Sequence, residues 1–467
     1  MTPRDLALSV LNRLDRSGAG FPVELLNRAF RKERHLDQRD RAFTVQLVQG
    51  VLRWRLRLDR IIRLRTRFPF SRIDPPVLNI LRLALYQILF LDRVPDSAAV
   101  NEAVKQAKRT ASPRVSAFVN AMLRRTCRGE KEPPFPDRAK DPVEYLSVYY
   151  SYPRWMVEKW IGEMGDETTE ALLKAGNRTP RLVIRCNSLK TDRSVLAARL
   201  AEEGIRTDAT PFSPEGLTIK GGIGSVSTLR AFRDGLFQIQ SEAAQICSYL
   251  LSPRPGDHVL DLCAGLGGKS THMAQMMGDR GSLVALDMSR RRLIKLKESS
   301  RRLGIACIHP VSADAADRLS SLFRYPFAKI LVDGPCSALG VISGRPDVKW
   351  ARTPSDPARL ARIQRRILEQ AGSLLAKDGE LLYVTCTVSK QENEGVVNGF
   401  LASNPGIFLQ NLKDRAPRWA APLVDDRGFF RVWPHLHGMD GFFGALFRKG
   451  SGGTGRAFSE RLSRESA

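Results

Sequence analysis

No two cysteines in this sequence are spaced C-x-x-C, and the seven present, at positions 127, 186, 247, 263, 307, 336 and 386, are odd in number and scattered. This argues against a zinc site and against a disulfide framework, so no metal is expected and thiols remain for chemistry in a reducing compartment. The chain also lacks any run of roughly 18 uncharged apolar residues, so no membrane span is expected. Its start, MTPRDLALSVLNRLD, carries acids among its apolar residues and reads as a helix, not a signal peptide. A cytoplasmic protein is expected. Acidic residues are scarce: 49 Asp and Glu stand against 74 Lys and Arg, a net charge of +25. A stable fold does not require that excess, whereas a polyanionic partner does, and nucleic acid is the default. With 467 residues, two or three domains are expected.

The most informative stretch is PGDHVLDLCAGLGGKSTHMAQMMGDRGSLVALD, residues 255–287. A short apolar strand, 258–262, runs into a turn holding Gly265, Gly267, Gly268 and Lys269. A helix follows around 272–277, then a second strand, 282–286, that ends on Asp287. Strand, glycine turn, helix, strand and terminal acid form the half-site of a doubly wound sheet that binds a nucleoside cofactor. The turn matches neither G-x-G-x-x-G nor a phosphate-binding G-x-x-x-x-G-K-[ST] loop, because the position needing the first glycine is Cys263. Asp261, at the first strand's end, suits a cofactor with an amine or other positive charge. S-adenosylmethionine has such charge, a ribose and no phosphate.

Residues 1–128 show helical periodicity, and prolines 22, 76, 95 and 113 sit near helix starts. A bundle of five to seven helices is expected. Between Arg28 and Arg67 there are thirteen Arg or Lys against four acids. Arg53, Arg55, Arg57, Arg63, Arg65 and Arg67 are spaced by two, which spreads them around a helix. They are read as a clamp for the backbone of folded RNA, against the alternative of a solvated bundle surface. Residues 129–143, rich in proline and charge, read as a linker. From 144 to 250 short helical and strand patterns alternate, suggesting a small α/β adaptor. Its leading aromatics, Tyr145, Tyr149, Tyr150, Tyr152 and Trp155, either stack bases or form a packing hub.

From 251 to 449 strands alternate with helices, and ligand sites in such sheets lie beyond the strands' carboxyl ends. Asp261, Asp287, Asp314, Asp333, Cys336 and Cys386 all fall there. Cys336 follows a strand at 329–332 in the turn DGPCS, and Cys386 follows a strand at 380–384 in TCT. A lone cysteine is usually a small buried hydrophobe. Here both lie in turns, where facing one substrate is the better reading. Residues 450–467 are expected to form a disordered tail.

These residues resemble the RNA cytosine-5 methyltransferases of the Sun/Nop2 family. The resemblance rests on PGDHVLDLCAGLGGKS, VALDMS, DGPCSALG, RPDVKW, TCTVSKQENEGVV and PHLHGMDGFFGALF, which span most of the C-terminal domain. The front domain resembles the NusB fold. The resemblance therefore implies a NusB-like helical domain, an α/β adaptor and a Rossmann-like S-adenosylmethionine-dependent domain. It also implies methylation of a cytosine in structured RNA, small-subunit ribosomal RNA first, by a monomer. Carried across, Cys386 is the nucleophile, Cys336 aids release, Asp333 meets the cytosine edge, and Lys269 lies beside base and cofactor. Asp287 holds the ribose with Arg292 nearby, and Asp314 meets the adenine. Asp261, Cys263, Ala264, Gly265, Gly267 and Gly268 line the methionine end. Two departures stand out: Leu266 where the family has proline, and Ser241 where it has a carboxylate. A transfer RNA target, an inactive assembly factor, a DNA target and amino-group methylation are the alternatives. The last fits poorly, because Asp333 is followed by Gly334, Pro335 and Cys336 and not by Pro-Pro and an aromatic residue.

Overall fold

The structure, a computed structural model, describes residues 1–450 apart from 18–21, 68, 111, 130, 133 and 222–224. The expected tail therefore lies outside the described residues from 451 onward. The chain forms two compact units, Met1–Arg178 with Ile342–Pro354, and Thr179–Val341 with the residues from Ser355. Among the described residues no helix is long and apolar enough to cross a membrane.

The first unit is helical: α1 (Pro3–Ser17), α2 (Pro22–Lys32), α3 (Gln38–Arg65), α4 (Pro75–Phe90), α5 (Asp96–Thr110), α6 (Pro113–Arg128), α7 (Pro142–Tyr150), α8 (Arg154–Met164) and α9 (Asp166–Gly176). Six of these lie within 1–128, inside the expected five to seven. Asp37 caps α3 by accepting from the Asp40 amide at 2.8 Å, satisfying a donor that the first turn leaves open. Helix α4 is the core of the bundle, buried at every position from Val77 to Ile88. Gly50 on α3 permits the closest approach to it, since a Cβ there would stand 2.0 Å from the Tyr86 ring.

The arginines spaced by two require a correction. Arg53 is buried and donates to the Ser343 carbonyl at 2.5 Å. Arg55 pairs with Asp15 at 3.1 Å. Arg57 donates to Glu132 at 2.8 Å and packs over Trp54, Phe90, Phe135 and Tyr149. These three are therefore internal struts and not a phosphate clamp. Helix α3 is covered by neighbours on much of its circumference, so spacing by two carried the arginines inward. Exposed cations lie instead at Arg28, Arg31, Lys32, Arg34 and Arg39, around the end of α2 and the start of α3, and at Arg63 and Arg67. The aromatic cluster resolves toward packing: Tyr152 and Trp160 are buried edge to face, Tyr145 stacks on Tyr149, and Phe135 meets Tyr149 edge-on. Phe135 and Glu132 also show that part of the expected linker packs on the bundle.

Residues 342–354, with the short helix α15 (Val348–Ala351), belong to this unit as well. They carry the whole RPDVKW stretch, residues 345–350. Lys349 is buried there, with its ammonium nitrogen donating to the carbonyls of Arg53 and Ser151 and to Asn177 Oδ1 at 2.7–3.1 Å.

The second unit holds two sheets. The smaller is antiparallel, in the order β2 (Thr207–Ala209), β3 (Gly216–Ile219), β1 (Leu182–Cys186), β4 (Phe237–Ile239). It carries α10 (Arg193–Glu202) and α11 (Arg230–Arg233). The α/β content expected for 144–250 thus begins at Thr179, and the helices before it belong to the first unit. Helix α12 (Glu242–Leu251) leads into the larger sheet. Its core is parallel: β9 (Leu375–Thr385), β8 (Phe327–Asp333), β5 (His258–Asp261), β6 (Ser282–Leu286), β7 (Ile308–Val311). At its edge β12 (Phe442–Lys449) runs antiparallel to β9, with β10 (Ile407–Gln410) and β11 (Phe430–Val432) paired to it.

Both faces are covered, which explains the nearly continuous apolar strands. Side chains alternate: Val259, Leu283, Ala285, Leu331 and Leu382 share a core with α12, α13 (Gly268–Met276) and α14 (Arg290–Leu303). Leu260, Val284, Leu286, Ile330 and Leu381 share the other with α16 (Asp356–Leu374) and α17 (Glu394–Ser403). A last short helix, α18 (Pro434–His437), precedes β12. Some boundaries differ from expectation: the strand read at 380–384 spans 375–385, and α13 begins at Gly268, four residues early, because the glycine turn itself caps it.

Candidate active site

Five parallel strands end on one side of the larger sheet, and every predicted site residue follows one of those ends. Asp261 closes β5. Its carboxyl is 1% exposed, accepts from Ser270 Oγ at 2.6 Å, and is pushed up to about 7, chiefly by burial. The turn after it is tight: Gly267 N–H donates to the Ala264 carbonyl at 2.8 Å, and Gly265 N–H donates to Asp287 Oδ2 at 2.9 Å. Gly267 has φ +81°, and a Cβ there would meet the Leu296 side chain at 2.5 Å. A glycine is needed on both counts. Asp287 follows β6 and also accepts from Ser289 N–H at 2.7 Å, with Arg292 3.9 Å away. Asp314, beyond β7, accepts from the Ala316 amide at 2.9 Å. Cys263 reports how closely the acids converge. Burial first, then Asp261, Asp333, Asp287 and Asp314 together, push its thiol well above the ordinary range.

Asp333 closes β8 and forms an ion pair with Lys269 Nζ at 2.6 Å. Burial works against the lysine's charge, but Asp333 outweighs it, and the ammonium form is held. Three residues past Asp333 stands Cys336, and one past β9 stands Cys386. Their sulfurs are 3.2 Å apart. The Cys386 thiol is pushed well above its ordinary range, first by the hydrogen bond with Cys336 and then by burial. Lys269 pulls the thiol toward thiolate, but Asp333 pushes the other way and the protonated thiol prevails.

Several site residues escaped sequence reasoning. Arg185, on β1, is fully buried and bonds to neutral acceptors. It donates to the Gly268 carbonyl at 2.8 Å, to Thr271 Oγ1 at 3.2 Å, and to Gln240. It thus braces the first turn of α13, which carries Lys269. Glu392 and Ser337 lie beneath the two cysteines. The only available signal for Glu392 was an acid inside the TCT-x-x-x-x-E stretch, which is indistinguishable in sequence from a surface glutamate.

The donor set fits S-adenosylmethionine. Carboxylates at 261, 287 and 314 suit an amine and ribose hydroxyls, where a phosphate would call for cations. Leu266 and Met288, 55% and 73% exposed, offer apolar surface beside Asp287. Among the described residues no cluster of three or more His, Cys, Asp or Glu is arranged to hold a metal ion.

Residues 248–448 match the family model for the 16S rRNA methyltransferase RsmB/F. Residues 1–128 match the NusB family, and 152–226 match the ferredoxin-like domain of RsmF/B-like methyltransferases. The chain is 35% identical over 447 residues to the probable ribosomal RNA small subunit methyltransferase B of Bacillus subtilis, covering 96% of this chain and 98% of that one. The chain belongs to the RsmB/F methyltransferase family. The ribosomal RNA small subunit methyltransferase B of Pseudomonas putida is 36% identical over 381 residues, 82% of this chain and 85% of that one. Among solved structures, PH0851 superposes with a TM-score of 0.80 at 28% identity, over 96% of this chain and 99% of that one. NSun6 from Pyrococcus horikoshii, solved with SFG, gives 0.57 at 26% identity, over 64% of this chain and 98% of that one. As a member of this family the chain is an S-adenosylmethionine-dependent RNA methyltransferase with a NusB domain, a ferredoxin-like domain and a Rossmann-like catalytic domain.

Proposed function

We propose that this enzyme methylates C5 of one cytosine in small-subunit ribosomal RNA, through a covalent bond between Cys386 and C6 of the base. The paired sulfurs at the ends of adjacent strands, 3.2 Å apart beside the Lys269–Asp333 ion pair, carry this reading. Cytosine C5 sits in a conjugated ring and is a poor nucleophile. Cys386 gives up its thiol proton to a base as Sγ adds to C6, which breaks that conjugation and makes C5 enamine-like. Asp333 meets the cytosine edge, and Lys269, paired to it, answers the charge that develops there. When bound, S-adenosylmethionine supplies the electrophilic methyl carbon that C5 takes up. A base then removes the C5 proton, and the C6–S bond breaks to free Cys386. Cys336 assists this last step, directly or through water.

The cofactor's holders are Asp261 with Cys263, Ala264, Gly265, Gly267 and Gly268 at the methionine end, Asp287 and Arg292 at the ribose, and Asp314 at the adenine. The target base must leave its stack to reach the thiols, which is least costly at an unpaired cytosine. The exposed cations between Arg28 and Arg39 and at Arg63 and Arg67 hold the RNA backbone. The protein acts as a monomer in the cytoplasm, with no resident metal.

Bisulfite sequencing of RNA from cells with and without the gene tests this. Loss of protection at one small-subunit ribosomal cytosine is expected, with recovery by the wild-type gene and none by Cys386→Ala. Loss at a transfer RNA position would overturn the target, and rescue by Cys386→Ala would overturn the nucleophile.

A further inference from the structure

Cys386 and Cys336 come from different strand-end loops, 50 residues apart in the chain. Loops of this kind move more than the strands they follow. Something must therefore hold the two sulfurs at 3.2 Å. Beneath them lies a buried network whose centre is Glu392, fully shielded from solvent.

One carboxylate oxygen, Oε1, accepts from the Ser337 backbone N–H at 2.8 Å and from Gln364 Nε2 at 3.1 Å. The other, Oε2, accepts from the Ser337 hydroxyl. Ser337 is the residue after Cys336. Its hydroxyl oxygen is also 2.7 Å from Thr387 Oγ1, and Thr387 is the residue after Cys386. A single carboxylate thus grips the first loop through two donors and reaches the second through one hydroxyl. The position of Glu392 is itself held, because Tyr383, near the end of β9, donates its hydroxyl to the Glu392 carbonyl at 2.6 Å. Gln364 also donates to the Pro335 carbonyl at 2.9 Å, fixing the peptide just before Cys336. Asn393 completes the second loop by donating to the Thr387 carbonyl at 3.1 Å and accepting from Thr385 Oγ1 at 2.7 Å.

We infer that Glu392 is a positioning residue that sets the distance between the two active-site thiols. It takes no part in bond making. Its role is to lock Ser337 and Thr387 against one another, so that the thiols preceding them meet a single base. Burial makes the lock stiff, since each bond acts where water cannot replace it. The inference rests on the reading of Cys386 and Cys336 as the working pair, and it concerns geometry that exists before any RNA binds.

The test uses the full-length protein with Glu392→Gln and Ser337→Ala, and three readouts. A trivalent arsenical that bridges two thiols reports their separation without RNA. Equilibrium binding of S-adenosylmethionine reports that the cofactor half of the domain is intact. Single-turnover methyl transfer reports alignment with the base. A glutamine keeps the size but not the number of acceptors, so one donor among Ser337 and Gln364 loses its partner. For Glu392→Gln the expected result is unchanged cofactor affinity, slowed bridging of the thiols with unchanged alkylation of each, and methyl transfer reduced about 100-fold, the scale of a misplacement near 1 Å. Ser337→Ala should shift the same two readouts in the same direction. Wild-type bridging in Glu392→Gln would overturn the proposal, whatever becomes of turnover. So would loss of cofactor binding in that variant, which would make the carboxylate a requirement of the fold. If bridging slows while wild-type protein methylates no RNA, the geometric inference holds and the functional reading falls.

Discussion

Protonation of Asp261 should control cofactor affinity around neutral pH. Burial raises this carboxyl to about 7, and the hydrogen bond from Ser270 only partly offsets that. A cationic amine beside it favours the carboxylate form. Affinity should therefore climb as pH rises through 7 and level off above it. With a value near 7, roughly nine-tenths of the group is ionised at pH 8 and one-tenth at pH 6, so binding should weaken about tenfold between them, or about 1.4 kcal/mol. The linkage to stability has the opposite sign. The folded protein holds this proton more tightly than the unfolded chain, so its contribution to stability is fully present below the ordinary carboxylate range. It is lost as pH rises through about 7. Titration calorimetry with S-adenosylmethionine at pH 6, 7 and 8 measures the first effect, and thermal melts across the same range measure the second. Asp261→Asn should bind weakly and without that pH dependence. Equal wild-type affinity at pH 6 and pH 8, or an undiminished slope in Asp261→Asn, would show that this carboxylate does not meet the amine.

Cys336→Ala should form the bond to RNA but release it slowly, giving a retarded protein–RNA band on denaturing gels in the presence of cofactor. If no such band forms while methyl transfer persists, the release role fails. Gly267→Ala should impair cofactor binding by at least about tenfold, because the new methyl meets Leu296 and the residue must hold φ +81°; unchanged binding on a filter assay would count against the turn as the cofactor's seat. Reversing charge at Arg28, Arg31, Lys32 and Arg34 should weaken RNA binding and flatten its salt dependence by up to about 0.7–0.9 in slope for each phosphate no longer neutralised. Arg57→Ala should instead lower the thermal midpoint of the helical unit, since it leaves Glu132 without its partner and opens a packed group of rings. A large drop in RNA affinity in a stably folded Arg57→Ala protein would restore the clamp that the structure removes.

The parallel sheet was legible because its strands are buried on both faces and end on chemistry-bearing residues. Val259 and Leu260 feed opposite cores, yet both are apolar, so the run announces itself. The turn from Asp261 to Lys269 was legible because glycines are placed there for backbone reasons that show in the residue type. What stayed hidden were choices made by tertiary packing. Arg53 and Arg57 look like surface cations, and only the covering of α3 by its neighbours turns them inward. Arg185 and Glu392 look equally ordinary, since nothing in a local window reveals that a charge will be buried or which hydroxyl it will meet. The short edge strands β10 and β11 carry too few residues for a period to emerge. Residues 342–354 follow the Cys336 loop directly in sequence, and no composition change marks their membership of the helical unit.

The charge arrangement of the pocket follows one logic. Lys269 is the cation nearest the chemistry, but its ion pair with Asp333 leaves it little influence on Cys386, and the thiol keeps its proton. A buried thiolate without that support would be costly, so the protonated form is the stable resting state. Asp333 is also the residue proposed to meet the cytosine edge, so a base arriving there competes with Lys269 for the same carboxylate. Any loosening of that ion pair turns more of the lysine's charge toward Cys386, in the direction that favours the thiolate. On this argument the low reactivity of the thiol in the empty pocket and its proposed activation by RNA have one origin, the carboxylate that Lys269 and the base share.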